Sequence, residues 1–196
     1  FKIIRYIIRI ILLMKVIQED YIVRLIQPRL TVLITSSSKS GDAVMAAAWI
    51  TPLSYIPPIV GVAIAKERFT YKVISESGYY AVNIMNFRYV SNVADAGRIS
   101  GYKVKNKFRA IGLTPIGARK IPVKVVKEAD AVLECRVRDE IEVGDHNFII
   151  GDVMYAYATE DFNLRWGLED YLPILYISDG FFMTIDKDTI KRYVIE

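Results

Sequence analysis

Residues 130–158 constrain the fold more than any other stretch of this chain. From Asp130 to Val143 apolar and polar side chains alternate, Gly144-Asp145 follows, and β-type residues resume from Asn147 to Ala158. A period of two puts successive side chains on opposite faces of an extended strand. Two such runs joined by Gly-Asp read as a long antiparallel hairpin.

Other segments repeat the theme in shorter form. Leu30 to Thr35 is a β-rich run, and Ser36 to Asp42 has the composition of a loop. Val44 to Ile50 is small and apolar, Thr51 to Pro58 is a proline-punctuated connection, and Ile59 to Ala65 is a continuous apolar strand buried on both faces. Phe69, Val73 and Ile74 fall on one helical face, with Gly78 placed to end that helix. Tyr79 to Met85 reads as strand, Tyr89 to Ala96 as a short helix, and Leu172 to Ser178 as a last strand. Many strands and few short helices, without βαβ alternation, argue for a mainly β, Greek-key barrel. Neither a G-x-G-x-x-G fingerprint nor a P-loop is found in the sequence.

The inventory of reactive side chains narrows the chemistry. One cysteine, Cys135, and one histidine, His146, leave no basis for a metal site and no triad beyond a single imidazole. An enzyme built from this set relies on a bound cofactor. With 53% apolar and 24% charged residues the chain is of globular type, and its net charge of +4 comes without the dense basic stripe of a nucleic-acid surface. Lys103, Lys105, Lys107 and Arg109, spaced by two, read as a solvated loop.

The ends stand apart from this body. Residues 1–14 are almost all Ile and Leu, interrupted by Lys2, Arg5 and Arg9. That stretch is too short and too charged to span a bilayer, and no small-residue cleavage site follows it. It is expected to be an arm packed against a second subunit, or residues preceding the domain's own start, in a cytoplasmic protein. Residues 15–180 form the domain, and 181–196 a tail ending in a short surface helix.

Candidate binding residues cluster between Gly41 and Asn83. Three consecutive alanines, Ala46 to Ala48, let a second body approach the strand backbone; a flat ring system and a packed helix are equal alternatives. Lys66, Arg68 and Thr70 bring two cations and a hydroxyl to a helix start, which suits a phosphate or merely caps the surface. His146 is either a site residue or a turn histidine bonded to nearby backbone. Trp166 and Tyr171 are read as packing down within their loop.

These residues carry a resemblance. The run Met45-Ala46-Ala47-Ala48-Trp49-Ile50-Thr51-Pro52-Leu53-Ser54-Tyr55-Ile56-Pro57-Pro58 resembles the signature of the flavin reductase-like domain family. Lys66-x-Arg68-x-Thr70, Ser77 to Asn83, Lys107-Phe108 with Gly112-Leu113, Glu134-Cys135, and Gly144-Asp145-His146 with Gly151-Asp152-Val153 resemble its further motifs, in order. The resemblance implies a homodimeric, FMN-binding split β-barrel, with FAD as a possible substitute and NAD(P)H as co-substrate. It implies that Met45, Ala46, Ala47, Ala48 and Trp49 line the flavin ring and that Lys66, Arg68 and Thr70 hold the phosphate. Asn83 would lie close to the cofactor, and His146 near the ring or an incoming nicotinamide as the catalytic side chain. Ala48 stands where the family often has serine, and Phe69 where histidine is frequent. The implied activity is NAD(P)H:flavin oxidoreduction; the alternative is an FMN-dependent, flavoredoxin-like electron carrier. The implied partners are a flavin-dependent oxygenase or a ferredoxin-like protein. A cofactor-free β-barrel interaction module is the third reading.

Overall fold

The computed structural model describes residues 15–167 and 170–190. The arm at 1–14 and the end of the tail at 191–196 lie outside them. A helical turn, α1 (Glu19–Ile22), and a 3-10 turn precede the first strand, β1 (Arg29–Leu30). The main body is one seven-stranded antiparallel sheet in the order β3-β2-β6-β9-β10-β5-β4, with β2 Val32–Ser38, β3 Gly41–Ala47, β4 Ile50–Ser54, β5 Ile59–Ala65, β6 Tyr79–Ile84, β9 Ala131–Val143 and β10 His146–Ala158. A short hairpin of β7 (Pro115–Gly117) and β8 (Lys124–Val126) lies outside it in sheet order.

The long hairpin is present as expected: β9 and β10 are thirteen residues each and pair from His146↔Val143 to Ala158↔Ala131. Two register shifts, between Ile150 and Gly151 and between Val153 and Tyr155, interrupt the ladder. Such bulges increase local twist and let a sheet curl. Curling is required here, because the two edge strands β3 and β4 are consecutive in the chain and separated only by Ala48 and Trp49. The Ala63 amide donates to the Trp49 carbonyl at 2.9 Å, tying that corner to β5. The fold is mainly β with few short helices, and the sheet rolls toward a barrel whose seam falls at Ala48-Trp49.

Two expectations change. The Ser/Gly segment is not an open loop: β2 runs to Ser38, Ser38 pairs with Gly41, and only Lys39-Ser40 turn. The proline-punctuated connection contains β4, whose Pro52 pairs with Val60. Proline lacks the amide that a central strand needs, and β4 is an edge strand, where that loss is tolerated.

Period-two burial builds the core. Val32 and Ile34, Val60, Val62 and Ile64, and Tyr80 and Val82 project to one side and close on Ala47, Cys135 and Ile149. The opposite side, with Leu33, Val44 and Met85, is covered by α3 (Val90–Arg98) and α4 (Lys107–Ala110) through Val93, Ala96 and Phe108. Cys135 is the packed thiol that the alternation implied, and burial pushes its pKa up to about 12. Helix α2 (Phe69–Ser77) follows β5 and ends at Gly78, whose φ of 73° is left-handed and whose amide donates to the Ile74 carbonyl. Only glycine adopts that conformation without steric cost.

After a small hairpin of β11 (Phe162–Asn163) and β12 (Arg165–Trp166), a second sheet, β1-β13-β14, uses β13 (Leu175–Ser178) and β14 (Phe181–Met183). Phe181–Met183, assigned to the tail by sequence, therefore belong to the folded body. The tail itself contributes a 3-10 turn at Lys187–Thr189. Trp166 stacks on Tyr171 with centroids 3.9 Å apart, and Tyr171 is buried, so this loop packs down as expected. Among the described residues no helix is long and apolar enough to cross a membrane, and none of their His, Cys, Asp or Glu side chains group as metal ligands.

Candidate functional site

The corner between β3 and β4 also opens a cavity of about 480 Å³. Its walls come from the end of β3 through Trp49, the end of β5, the start of α2, the end of α3 with Ile99 to Gly101, Lys107, His146 and Tyr176. A concave site of this size, at a junction of elements, is of the kind that takes a small molecule.

The alternation of β3 divides its alanines. Ala47 is buried in the sheet interior among Val32, Val60 and Val62. Ala46 packs toward the α3 side, where Gly97 lies close to its methyl group, and Ala48 continues on the cavity wall. Helix α3 packs against β3, as one of the two alternatives for the alanine run has it, and beside it the bare strand borders the cavity. Met45, Ala46, Ala47, Ala48 and Trp49 all line it.

Trp49 and His146 face each other with ring centroids 4.6 Å apart. His146 is the first residue of β10, placed opposite Ala65 of β5 and Val143 of β9. Its Nδ1 donates to Asp145 Oδ1 at 2.7 Å, and this hydrogen bond holds the Asp145 carboxyl below its ordinary range. The histidine therefore bonds a neighbouring side chain while also lining the cavity.

Arg68 stands at the N-cap position of α2, and Thr70 is buried in its first turn; both line the cavity. Lys66 does not. Its Nζ reaches Glu142 Oε1 at 2.7 Å on β9, away from the cavity lining. The strand-to-helix transition turns Lys66 and Arg68 in different directions, so identical charge at spacing two does not give a shared target. Asn83 is also elsewhere. It is fully buried in β6, donates to the Leu33 carbonyl and Thr35 hydroxyl, and accepts from the Val126 amide. Both ends of its amide serve the sheet, so the side chain is a structural clamp and does not line the cavity.

Lys107 is the residue that sequence reasoning placed wrongly. Lys103, Lys105 and Arg109 are exposed, but Lys107, which begins α4, is only 6% exposed and lines the cavity. Its Nζ donates to the Ala96 carbonyl at 2.7 Å, and no carboxylate among the described residues pairs with it. Burial, reinforced by the nearby Arg68 charge, lowers its pKa to about 8. No short-range signal marks it in the sequence, because its placement depends on the Ala96 carbonyl of another helix. Phe69 closes another side. Its ring packs edge-on to Tyr102 at 5.2 Å and against Gly101, where an added Cβ would stand 2.5 Å from its Cδ1.

Comparison with known proteins places this geometry. The family model described as Flavin reductase like domain matches residues 26–183. The chain belongs to the flavin reductase-like family. It is 37% identical over 175 residues to an uncharacterised protein of Pyrococcus abyssi, covering 86% of this chain and 96% of that one. It is 34% identical over 155 residues to an uncharacterised protein of Aeropyrum pernix, covering 79% of this chain but only 59% of the relative's length. Among solved structures it resembles the flavoredoxin of Methanosarcina acetivorans, with a TM-score of 0.75, 24% identity and coverage of 89% and 91% of the two chains. At that identity the likeness speaks for the fold.

Proposed function

We propose that the cavity binds FMN and that the chain is an NAD(P)H:flavin oxidoreductase. The observation that carries this reading is Lys107: a buried ammonium on a cavity wall, hydrogen-bonded to one neutral carbonyl, with donor capacity left over. Such a group is stabilised by an anionic ligand and destabilised without one. Arg68 and the buried Thr70 hydroxyl add two donors from the start of α2. The residues fit a phosphate beside a flat ring system.

Lys107, Arg68 and Thr70 hold the phosphate in this reading, with Lys66 outside the set. Ala46 and Ala48 leave room for the ring, and Trp49 limits its freedom. When bound, FMN supplies the redox chemistry, taking a hydride equivalent from a nicotinamide at flavin N5. The protein's own part is to orient the two ligands, exclude water and present His146 to a developing negative charge. FAD would have to extend beyond the same walls. The reading includes a homodimer, a cytoplasmic setting where NAD(P)H is available, and delivery of electrons to a flavin-dependent oxygenase.

A second reading, a flavoredoxin-like electron carrier served by a ferredoxin-like donor, is favoured by Phe69. Its ring packs on Tyr102 and Gly101 and itself carries no hydrogen-bonding atom for a nicotinamide amide. The visible spectrum of the purified chain, an FMN titration, and anaerobic addition of NADH or NADPH separate the readings. Bound flavin that bleaches with nicotinamide supports the oxidoreductase. Bound flavin that stays oxidised favours the carrier, and failure to bind FMN removes both.

A further inference from the structure

We infer that Asp145 is a positioning residue that holds His146 as its Nδ1–H tautomer, leaving Nε2 as the proton-exchanging atom of the cavity. The role in turnover rests on the proposed flavin chemistry; the tautomer does not. Gly144 and Asp145 form the two-residue turn between β9 and β10, so His146 is held in the ladder immediately after it. The short turn brings the Asp145 carboxylate to 2.7 Å from Nδ1. A carboxylate accepts and does not donate, so that contact requires the proton on Nδ1 in the neutral ring.

Trp49 restrains the ring from another side, at 4.6 Å. With one nitrogen hydrogen-bonded and the face against an indole, the imidazole has little freedom to flip. Nε2 has no hydrogen-bond partner among the described residues, and His146 lines the cavity. The other charged groups are the Lys66–Glu142 pair on the adjoining strand ends, and Glu67, Arg68, Arg98 and Lys107 in the shared lining. None of them forms a hydrogen bond with His146, so Asp145 alone sets the tautomer.

In the proton balance, Nε2–H of the imidazolium gives its proton to a ligand that gains negative charge, and the neutral Nδ1–H ring remains. A proton from bulk water restores the imidazolium, because the side chain keeps 23% exposure. The carboxylate stays ionised throughout and acts by orientation and charge, as in other carboxylate–histidine pairs.

The chain's one histidine makes the test direct, since every imidazole nitrogen signal belongs to His146. Long-range proton–nitrogen NMR of the ligand-free chain is expected to show the neutral ring protonated at Nδ1. Asp145→Ala should move that proton toward Nε2, and Asp145→Glu should restore the original pattern. A wild-type ring protonated at Nε2, or an unchanged pattern in Asp145→Ala, overturns the inference. With FMN and nicotinamide, Asp145→Ala should lower kcat by at least about tenfold while KM stays within about twofold, since proton transfer and not binding is affected. Unchanged kcat in an active protein overturns the role in turnover. A wild-type chain that binds FMN but oxidises no nicotinamide removes the oxidoreductase reading instead, and the tautomer result then decides for Asp145 by itself.

Discussion

Lys107 on α4 donates to the Ala96 carbonyl near the end of α3, and this single bond holds a cation against the cavity wall. In the proposed function that cation meets the flavin phosphate. Lys107→Met keeps the aliphatic bulk and removes the charge. FMN affinity should fall by roughly 10- to 150-fold, the equivalent of a charge-assisted hydrogen bond of about 1.5–3 kcal/mol. Lys66→Met, which breaks only an exposed pair with Glu142, should leave it within about twofold. Fluorescence quenching of FMN measures both, and equal losses would count against the separation of the two lysines.

The same lysine makes both binding and stability depend on pH, with opposite signs. Its pKa is lowered in the fold from 10.5 to about 8. Between those values the unfolded chain binds the extra proton, so the Lys107 contribution makes the fold more stable as pH rises. A phosphate prefers the charged ammonium, so FMN affinity should fall as pH rises above about 8. The dissociation constant measured across this window should rise in the wild type and stay flat in Lys107→Met.

Ala48 borders the cavity without filling the sheet interior. Ala48→Leu should weaken FMN binding by at least about tenfold, a few methylene volumes being placed where the ring lies, with thermal stability changed by under about 1.5 kcal/mol. Unaltered binding would move the ring away from this strand.

Gly101 has the opposite character, because Phe69 already occupies the space of a Cβ. Gly101→Ala should cost about 1–3 kcal/mol of stability by overpacking. Part of that loss should return in the double variant with Phe69→Ala, since the two sites share one contact. Denaturant midpoints of the three variants test the coupling.

Asn83 separates a clamp from a ligand. Asn83→Ala leaves the Val126 amide without its acceptor and should destabilise the fold by about 1–3 kcal/mol. FMN affinity of the folded fraction should stay within about threefold, as measured at saturating protein well below the melting temperature. A selective loss of affinity without a loss of stability would return Asn83 to the site.

Much of the architecture was legible because it is written in short-range periods. Alternation over Asp130–Val143 leads to β9, the apolar run Ile59–Ala65 to β5, and the Phe69, Val73, Ile74 face with Gly78 to α2 and its stop. Each depends on a residue and its neighbours within one turn or one pleat. The hairpin at Lys39-Ser40 is not legible in the sequence, because serine-rich composition signals a loop even where register extends the strands to the turn.

By itself, then, the sequence determined most strands of the main sheet, the long hairpin, the helix stop and a set of motifs shared with the flavin reductase-like family. The tertiary structure decided which polar groups serve the cavity. Lys66 and Lys107 are the same residue type, yet one ends on Glu142 in solvent and the other under Ala96 in the interior. Asn83 and Lys107 are both buried, yet one is used up by the Leu33, Thr35 and Val126 partners of its own sheet. The reason is physical: periodicity is set by covalent geometry between near neighbours. Desolvation and pairing instead depend on which distant segments the rolled sheet brings together.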